Sequence, residues 1–466
     1  MLELYPFQRY TVENFRNVRC ILLGDDMGLG KTVQAISLDL HRRATLPETE
    51  ILKTLVVAPL AVVPSWKNHW EAMAPSLNIV AIDNKKRQPF IDAVLSGDGD
   101  VFICHWPALR LMPELAKRRW FHIIGDEIHS IQNRKSKQTV ALKKIQGDNR
   151  TGLSGTPAFD KPDDLWSILN WLYPKFWSSY WTYFNRHIVF NTYNGYRQVV
   201  GIAYVDELHK QMDGFYIRRK KEDVLPDLPD KYYTTIDVDM SPMQERAYES
   251  MRKQMLAWVG EHEREPISAP VVIAQLTRLQ QFACAFAEVD ESTGKMHLSE
   301  PSSKLDAVME LIADTRQPIV VFSQFSQMIK LLAKRLEKAK ISHGIYTGDT
   351  SAKDREKIVD DFQAGKLQVF AGTIAAGGVG ITLTAASIVI FTDRGWSPSI
   401  NVQAEDRLHR IGQPNAVQVI DIRSRHTVDI KRAKRLLQKW SWIKKLIGDD
   451  DSDELITIDE DDDEDD

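Results

Sequence analysis

The chain has 466 residues, 43% of them hydrophobic, enough for two cores of about 150 to 200 residues each, which excludes a single small domain. Its three cysteines, Cys20, Cys104 and Cys284, lie far apart with no CxxC pair or metal-spaced histidine cluster, so a reducing compartment and no structural zinc are expected. Net charge is −4, yet residues 449–466 hold 13 of the 64 acidic residues and no Lys or Arg, leaving a mildly basic body of 60 basic against 51 acidic side chains.

The start, Met1-Leu2-Glu3-Leu4, has no basic segment leading into an apolar one, and no apolar run approaches the length that spans a bilayer. A soluble, intracellular, cytoplasmic protein without a membrane partner is the expectation. In the first part of the chain, short apolar and β-branched runs recur between helical patterns: Cys20 to Leu23, Thr54 to Ala58, Val101 to Cys104, His122 to Ile124 and Thr151 to Leu153. That rhythm predicts an α/β lobe, a parallel sheet covered by helices.

Between the first run and an amphipathic pattern over Val33 to Leu40 stands Gly24-Asp25-Asp26-Met27-Gly28-Leu29-Gly30-Lys31-Thr32. A strand, a glycine turn and a helix N-terminus in this order close backbone N–H groups around phosphate oxygens. Lys31 would reach the β and γ phosphates of ATP, and the Thr32 hydroxyl would ligate Mg²⁺. Asp25 occupies the place of the first glycine in the strict GxxxxGK[ST] pattern, so the motif alone leaves a glycine-rich turn without nucleotide as the alternative.

Further on, His122-Ile123-Ile124-Gly125-Asp126-Glu127-Ile128-His129 sets two acids at the end of a buried strand. Asp126 would hold Mg²⁺, and Glu127 would orient and deprotonate the attacking water. Two acids capping the next helix is the competing interpretation; the phosphate loop about 100 residues upstream weighs against it.

From about Asp160 to Pro301 the sequence becomes aromatic and helical. Trp166, Trp171, Trp177 and Trp181 recur near helical spacing, and Gln244 to Trp258 is amphipathic. One buried stripe in a helical subdomain is expected for the tryptophans, in preference to a base-stacking platform. A second α/β series follows, with runs at Ile319 to Phe322, Ser342 to Tyr346, Gln368 to Ala371, Ile388 to Phe391 and Val417 to Ile420. Within it, between the last two runs, Gln403, Arg407 and Arg410 are spaced i, i+4, i+7, as on one helical face. Always-charged guanidinium groups brought to the γ-phosphate from a separate lobe would stabilise the transition state. The competing interpretation is a salt-bridged face with Glu405 and Asp406. The acidic end is expected to be solvated and disordered, with autoinhibition or a basic partner as alternatives.

Taken together, these motifs resemble helicase superfamily two and, within it, the Swi/Snf-type ATPases that translocate on DNA. Leu4, Phe7 and Gln8 match the adenine-reading motif, and DDMGLGKT resembles DEMGLGKT. Val57-Ala58-Pro59-Leu60 through Ser65-Trp66 resembles motif Ia, and Leu153-Ser154-Gly155-Thr156-Pro157 motif III. Arg218-Arg219-Lys220-Lys221-Glu222-Asp223-Val224 with Leu228-Pro229 resembles the basic stretch leading into the linker. Phe322-Ser323-Gln324-Phe325, Tyr346-Thr347-Gly348, Ala376-Gly377-Gly378-Val379-Gly380-Ile381 and RLHRIGQ complete the family's order.

The resemblance implies two tandem RecA-like parallel-sheet lobes: residues 1–160 as the ATP-binding lobe, 161–300 as a helical insertion and linker, 301–448 as the second lobe, and 449–466 as the acidic tail. ATP and Mg²⁺ are the implied ligands. Phe7, Gln8, Asp26, Met27, Gly28, Leu29, Gly30, Lys31, Thr32 and Gly378 are the implied nucleotide contacts. Pro59, Ser65, Thr156, Gln324, Thr373 and Gly378 are the implied contacts to the DNA backbone, which carries no sequence information. Duplex or forked DNA is the expected partner, RNA the second choice, and a monomer the expected state. A strand-separating helicase and a binding scaffold with an inactive ATPase are the rival functions. Three departures are Ile128 in place of Ala, Ala375 where motif V often has Lys or Arg, and Trp396-Ser397-Pro398 in place of Trp-Asn-Pro. Ala375 puts one phosphate contact in doubt and, with QAEDRLHRIGQ, leans toward the branch of annealing helicases and fork-remodelling enzymes. The lack of an attached histone reader points to a minimal bacterial or viral motor.

Overall fold

The structure, a computed structural model, describes residues 3–47, 52–83, 86–156, 161–193, 196–261, 269–289, 296–378 and 380–447. Met1, Leu2, Pro157, Val379 and the acidic stretch 449–466 lie outside the described residues. The chain divides into two compact units, one of Met1–Pro226 with Ser441–Asp451 and one of Asp227–Trp440 with Ser452–Asp466.

Seven parallel strands form the first unit's sheet: β1 (Cys20–Leu23), β2 (Thr54–Ala58), β3 (Ile79–Ala81), β4 (Val101–His105), β5 (Arg119–Asp126), β6 (Gln146–Leu153) and, after the hairpin β7 (Ile188–Tyr193) and β8 (Tyr196–Ile202), the edge strand β9 (Tyr216–Ile217). Their order is β3-β4-β2-β5-β6-β1-β9. Alternate side chains feed opposite faces. Leu22, Leu55, Val57 and Ile123 enter one core, while Ile21, Leu23, Val56 and Ile124 enter the other. Burial on both faces explains why these strands read as continuous apolar runs. Each fully buried Leu, Ile, Val or Phe contributes about 1.5–3 kcal/mol.

In the second unit, β10 (Lys231–Val238) opens the sheet and β11 (Phe286–Val289) pairs with β12 (Met296–Ser299) as a separate hairpin. Then come β13 (Ile319–Ser323), β14 (His343–Tyr346), β15 (Val369–Thr373), β16 (Ile388–Phe391) and β17 (Val417–Ser424), ordered β10-β17-β16-β13-β15-β14 and all parallel. Val321 and Ile390 face one core, and Val320, Phe322 and Phe391 the other. The expected α/β fold with two parallel-sheet lobes is therefore what the chain adopts.

Residues 161–300 are less uniformly helical than expected. They carry the β7–β8 hairpin, edge strands β9 and β10, and the β11–β12 hairpin. Strand β10 escapes an apolar-run search because Lys231, Thr234, Thr235 and Asp237 break it up, as suits an edge. The tryptophans also depart from expectation. Trp166 lies on the helix Leu165–Leu172 with Trp171, Trp177 lies beyond that helix, and all three are buried in the first unit's core. Trp181, on the helix Tyr180–His187, is 53% exposed, so the four do not make one buried stripe.

A buried polar cluster ties the phosphate-loop helix to the sheet. His122 Nδ1 bonds Asp39 Oδ1 (2.8 Å), and its Nε2 meets Thr151 Oγ1 (2.8 Å) and Arg42 (3.2 Å). Burial holds the His122 pKa down to about 4. Burial alone would raise that of Asp39, but the His122 hydrogen bond and the Arg43 charge bring it to about 2. Neutral His122 therefore donates from Nδ1–H and accepts at Nε2 from Arg42. A histidine whose pKa is depressed on folding contributes stability in full above its unfolded pKa, near 6.5, and loses it as pH falls toward 4. Thermal unfolding followed from pH 8 to pH 4.5 should show an acid loss on the order of 2–3 kcal/mol in this window, absent from His122→Asn. An equally steep decline in the variant would remove His122 as its source.

Candidate active site

Strand β1 ends at Leu23, and the chain turns through Gly24–Gly30 into helix α2 (Lys31–Ala44). Gly28 (φ 86°) and Gly30 (φ 69°) take left-handed backbone, and a Cβ on Gly30 would lie 2.5 Å from Gln8 Nε2. Only glycine suits that position. No side chain caps the start of α2, so its first N–H groups are left for another acceptor, as an anion site requires. Lys31 Nζ donates to the carbonyls of Asp25 (2.6 Å) and Asp26 (3.0 Å), which holds the ammonium over the loop. Burial lowers its pKa against the opposing charges of Glu127, Asp25 and Asp26. Met27 and Leu29 are buried, and a Cβ on Gly155 would strike Met27, so the third motif packs on the loop.

Helix α1 (Pro6–Phe15) carries Phe7 and Gln8, both buried. Gln8 Nε2 donates to Leu29 O (3.2 Å) and its Oε1 accepts from Tyr5 N (3.1 Å). The contacts the chain itself supplies thus make Gln8 a tie between α1 and the phosphate loop. Asp25, in the place of a glycine, is fully buried and accepts from Gln34 (3.1 Å) and Arg219 (3.4 Å). The departure from the strict pattern is filled by a hydrogen-bonded carboxylate. Asp26 pairs with Arg218 (2.6 Å) and accepts from Lys221 N (3.0 Å). Against burial, which would raise it, Arg218 and Lys221 hold its pKa below the usual range.

At the end of β5, Asp126 accepts from Trp66 Nε1 (2.8 Å) and from Glu127 N (3.0 Å), and Trp106 Nε1 donates to its carbonyl (2.9 Å). Burial, with the Glu127 charge second, pushes its pKa up to about 6. No ion pair to Asp126 occurs among the described residues. A half-buried carboxylate beside a second carboxylate and within the field of Lys31 fits Mg²⁺, which takes one or two protein carboxylates and completes its shell with water and phosphate oxygens. Glu127 adopts left-handed backbone (φ 48°, ψ 56°), a conformation a non-glycine residue takes at a cost, and it caps the following turn with backbone only. Its Oε2 lies 3.3 Å from His129 Nδ1, which also meets Ser154 Oγ (3.3 Å). Ile128 is fully buried over Gly125 and Gly152, where added Cβ atoms would lie 2.6 and 3.2 Å from it. Those two glycines make room for its extra bulk.

In the second unit the helix Pro398–Glu405 includes Gln403 but ends before the arginines, so the expected common helical face is not formed. Arg407 and Arg410 stand in the turns that follow. Arg407 donates to Gln403 O (3.1 Å) and Gly378 O (2.6 Å), and Arg410 to Ile381 O (3.3 Å). Burial, then the Arg407 charge, lowers the Arg410 pKa to about 10. The salt-bridged alternative also fails in part: Glu405 pairs with Arg394 and Lys231 and accepts from Tyr233.

Of the residues implied for DNA, Ser65 is exposed, and Pro59 and Gln324 are half-buried. Gln324 N donates to Asp393 Oδ1 (2.8 Å). Thr156, Thr373 and Gly378 are buried, Thr156 with an unpartnered hydroxyl. In each unit the candidates stand at or just beyond the carboxyl ends of strands, where open α/β sheets bind ligands. Trp66, Trp106 and Arg219 were absent from the expected site. The order "Ser-Trp" and the doubled Arg218-Arg219 were visible, but nothing in the spacing tells that they reach Asp126 or α1.

The SNF2-related domain family matches residues 8–288, and the helicase conserved C-terminal domain family matches residues 303–412. An uncharacterized ATP-dependent helicase of Mycoplasma genitalium is 27% identical over 96% of this chain and 43% of its own length. The chromodomain-helicase-DNA-binding protein 1-like of Danio rerio is 29% identical over 92% of this chain and 42% of its own length. The chain thus spans about two-fifths of these curated relatives. The solved SWI2/SNF2 ATPase core of Sulfolobus solfataricus in complex with dsDNA is 27% identical, covering 97% of this chain and 94% of that one, at a TM-score of 0.44.

Proposed function

The chain belongs to the SNF2-related family of superfamily-two helicase ATPases, and from that premise we propose that it is an ATP-driven DNA translocase. The observation that carries the proposal is the half-buried Asp126–Glu127 pair at the carboxyl edge of the sheet whose β1 leads into Lys31 and the uncapped start of α2.

In this reading the backbone N–H groups of the loop and Lys31 bind the β and γ phosphates of ATP. Bound Mg²⁺, held through Thr32 and Asp126, would neutralise phosphate charge. Trp66 and the N–H of Glu127 orient the Asp126 carboxylate. Glu127 accepts the proton of the attacking water, with His129 and Ser154 steadying it. Arg407 and Arg410, fixed by backbone carbonyls and unable to lose their charge at neutral pH, answer the negative charge that develops on the γ-phosphate. Gln403 and Gly378 position Arg407. DNA raises turnover by favouring the ATP-competent state, and ATP binding and release change the grip on one strand.

The DNA assignment rests on family membership, on relatives named as DNA-binding helicases, and on the basic body of the chain. Pro59, Ser65, Thr156, Gln324, Thr373 and Gly378 are the proposed backbone contacts, the buried ones through movement of their loops. Duplex or forked DNA is the proposed track. ATP-dependent removal of a labelled third strand from a duplex, without separation of that duplex, is the expected outcome. Efficient unwinding of the duplex itself would replace the translocase with a strand-separating helicase.

A further inference from the structure

Residues 218–233 connect the two units, and each end is docked on a motif that the proposed ATPase uses. At the first end, the Arg219 guanidinium donates to Phe7 O (2.7 Å), Thr11 Oγ1 (2.7 Å) and Asp25 Oδ2 (3.4 Å), while its carbonyl accepts from Asp26 N (3.0 Å). One side chain therefore joins α1, which carries Phe7 and Gln8, to the phosphate loop. Its Cζ also lies over the rings of Phe7 (5.7 Å) and Tyr10 (5.6 Å). Arg218 adds bonds to Gly24 O (2.8 Å) and Gly155 O (3.4 Å).

At the other end, within the second unit, Pro229 O meets His409 Nε2 (2.8 Å), Lys231 pairs with Glu405 (2.9 Å) and approaches Asp406 (3.9 Å), and Tyr233 donates to Glu405 (2.9 Å). Glu405 is the last residue of the helix that precedes Arg407 and Arg410. Against burial, which would lower it, the Glu405 and Asp406 carboxylates hold the Lys231 pKa well above its ordinary value. Seven residues separate Lys221, whose N–H holds Asp26, from Pro229.

We infer that residues 218–233 act as a strap that seats the phosphate loop at one end and the arginine segment at the other, with Arg219 and Lys231 as positioning residues. The inference rests on the ATPase reading proposed above. Neither side chain would touch ATP. Arg219 sets the adenine-side helix against the loop, so its loss weakens nucleotide binding. Lys231 sets the turn bearing Arg407 and Arg410, so its loss is felt in the transition state. A lysine at position 219 cannot span three acceptors with a planar fork, whereas an arginine at 231 keeps the charge that Glu405 needs.

The test is steady-state ATP hydrolysis by the full chain on duplex DNA, with thermal unfolding in parallel, for Arg219→Ala, Arg219→Lys, Lys231→Met and Lys231→Arg. Arg219→Ala and Arg219→Lys should raise KM for ATP about tenfold with kcat within about threefold. Lys231→Met should lower kcat about tenfold with KM within about threefold, and Lys231→Arg should restore most of it. Wild-type constants in Arg219→Ala and Lys231→Met would overturn the strap, as would the same proportional loss in both accompanied by a lower Tm. A wild-type chain that does not hydrolyse ATP would instead overturn the reading beneath it and take the strap with it.

Discussion

Glu127→Gln should abolish steady-state ATP turnover, by about 10²–10⁴-fold as for loss of a positioned general base, while leaving ATP bound. The amide keeps the size of the side chain and can still contact His129, but it cannot take a proton from water. Lys31→Ala should also abolish turnover, with a different signature, because the ammonium held over the loop by the Asp25 and Asp26 carbonyls is the charge proposed to meet the phosphates. Binding of a fluorescent ATP analogue separates the two: retained in Glu127→Gln, weakened in Lys31→Ala. Near-normal hydrolysis by Glu127→Gln would mean that another group receives the proton.

Replacing either arginine of the second unit should be at least as damaging. An arginine that stabilises the transferring phosphoryl group is worth about 10³–10⁵ in kcat, and Arg407→Ala or Arg410→Ala should lose activity on that scale with ATP affinity little changed. Arg407→Lys should not rescue, since a point charge cannot reproduce the fork that reaches Gln403 O and Gly378 O together. Burial and the neighbouring Arg407 both disfavour the Arg410 charge, and Asp406 opposes them. Wild-type kcat in both alanine variants would assign the pair to structure.

How far the sequence discloses this arrangement depends on what kind of contact carries it. Strands buried on both faces, such as Thr54–Ala58 and Ile388–Phe391, announce themselves as apolar runs, and the glycine loop and the acid pair are local motifs read from spacing. The edge strands β9 and β10 do not, unlike the edge strand His343–Tyr346: Tyr216–Ile217 is two residues long, and Lys231–Val238 alternates with polar residues. Helical spacing also misleads where a helix stops. Gln403, Arg407 and Arg410 fit a 3.6-residue period, yet the helix ends at Glu405, where the Arg394 and Lys231 partners capture its last side chain. Trp181 shows the same limit, since the chain turns between Leu172 and Tyr180 and the stripe is broken. Contacts between residues distant in sequence, Arg219 to Thr11 or Trp66 to Asp126, leave no periodic signal at all.

Nucleic acid, and duplex or forked DNA in particular, is proposed to drive ATP hydrolysis by this chain. Turnover by the purified protein should be measured alone and with duplex DNA, forked DNA, single-stranded DNA or RNA, each at two salt concentrations. Strong stimulation by duplex or forked DNA that collapses at the higher salt is the expected result, because each phosphate contact made displaces counterions. Stimulation by RNA or single strands alone, or no hydrolysis under any of these conditions, would contradict it.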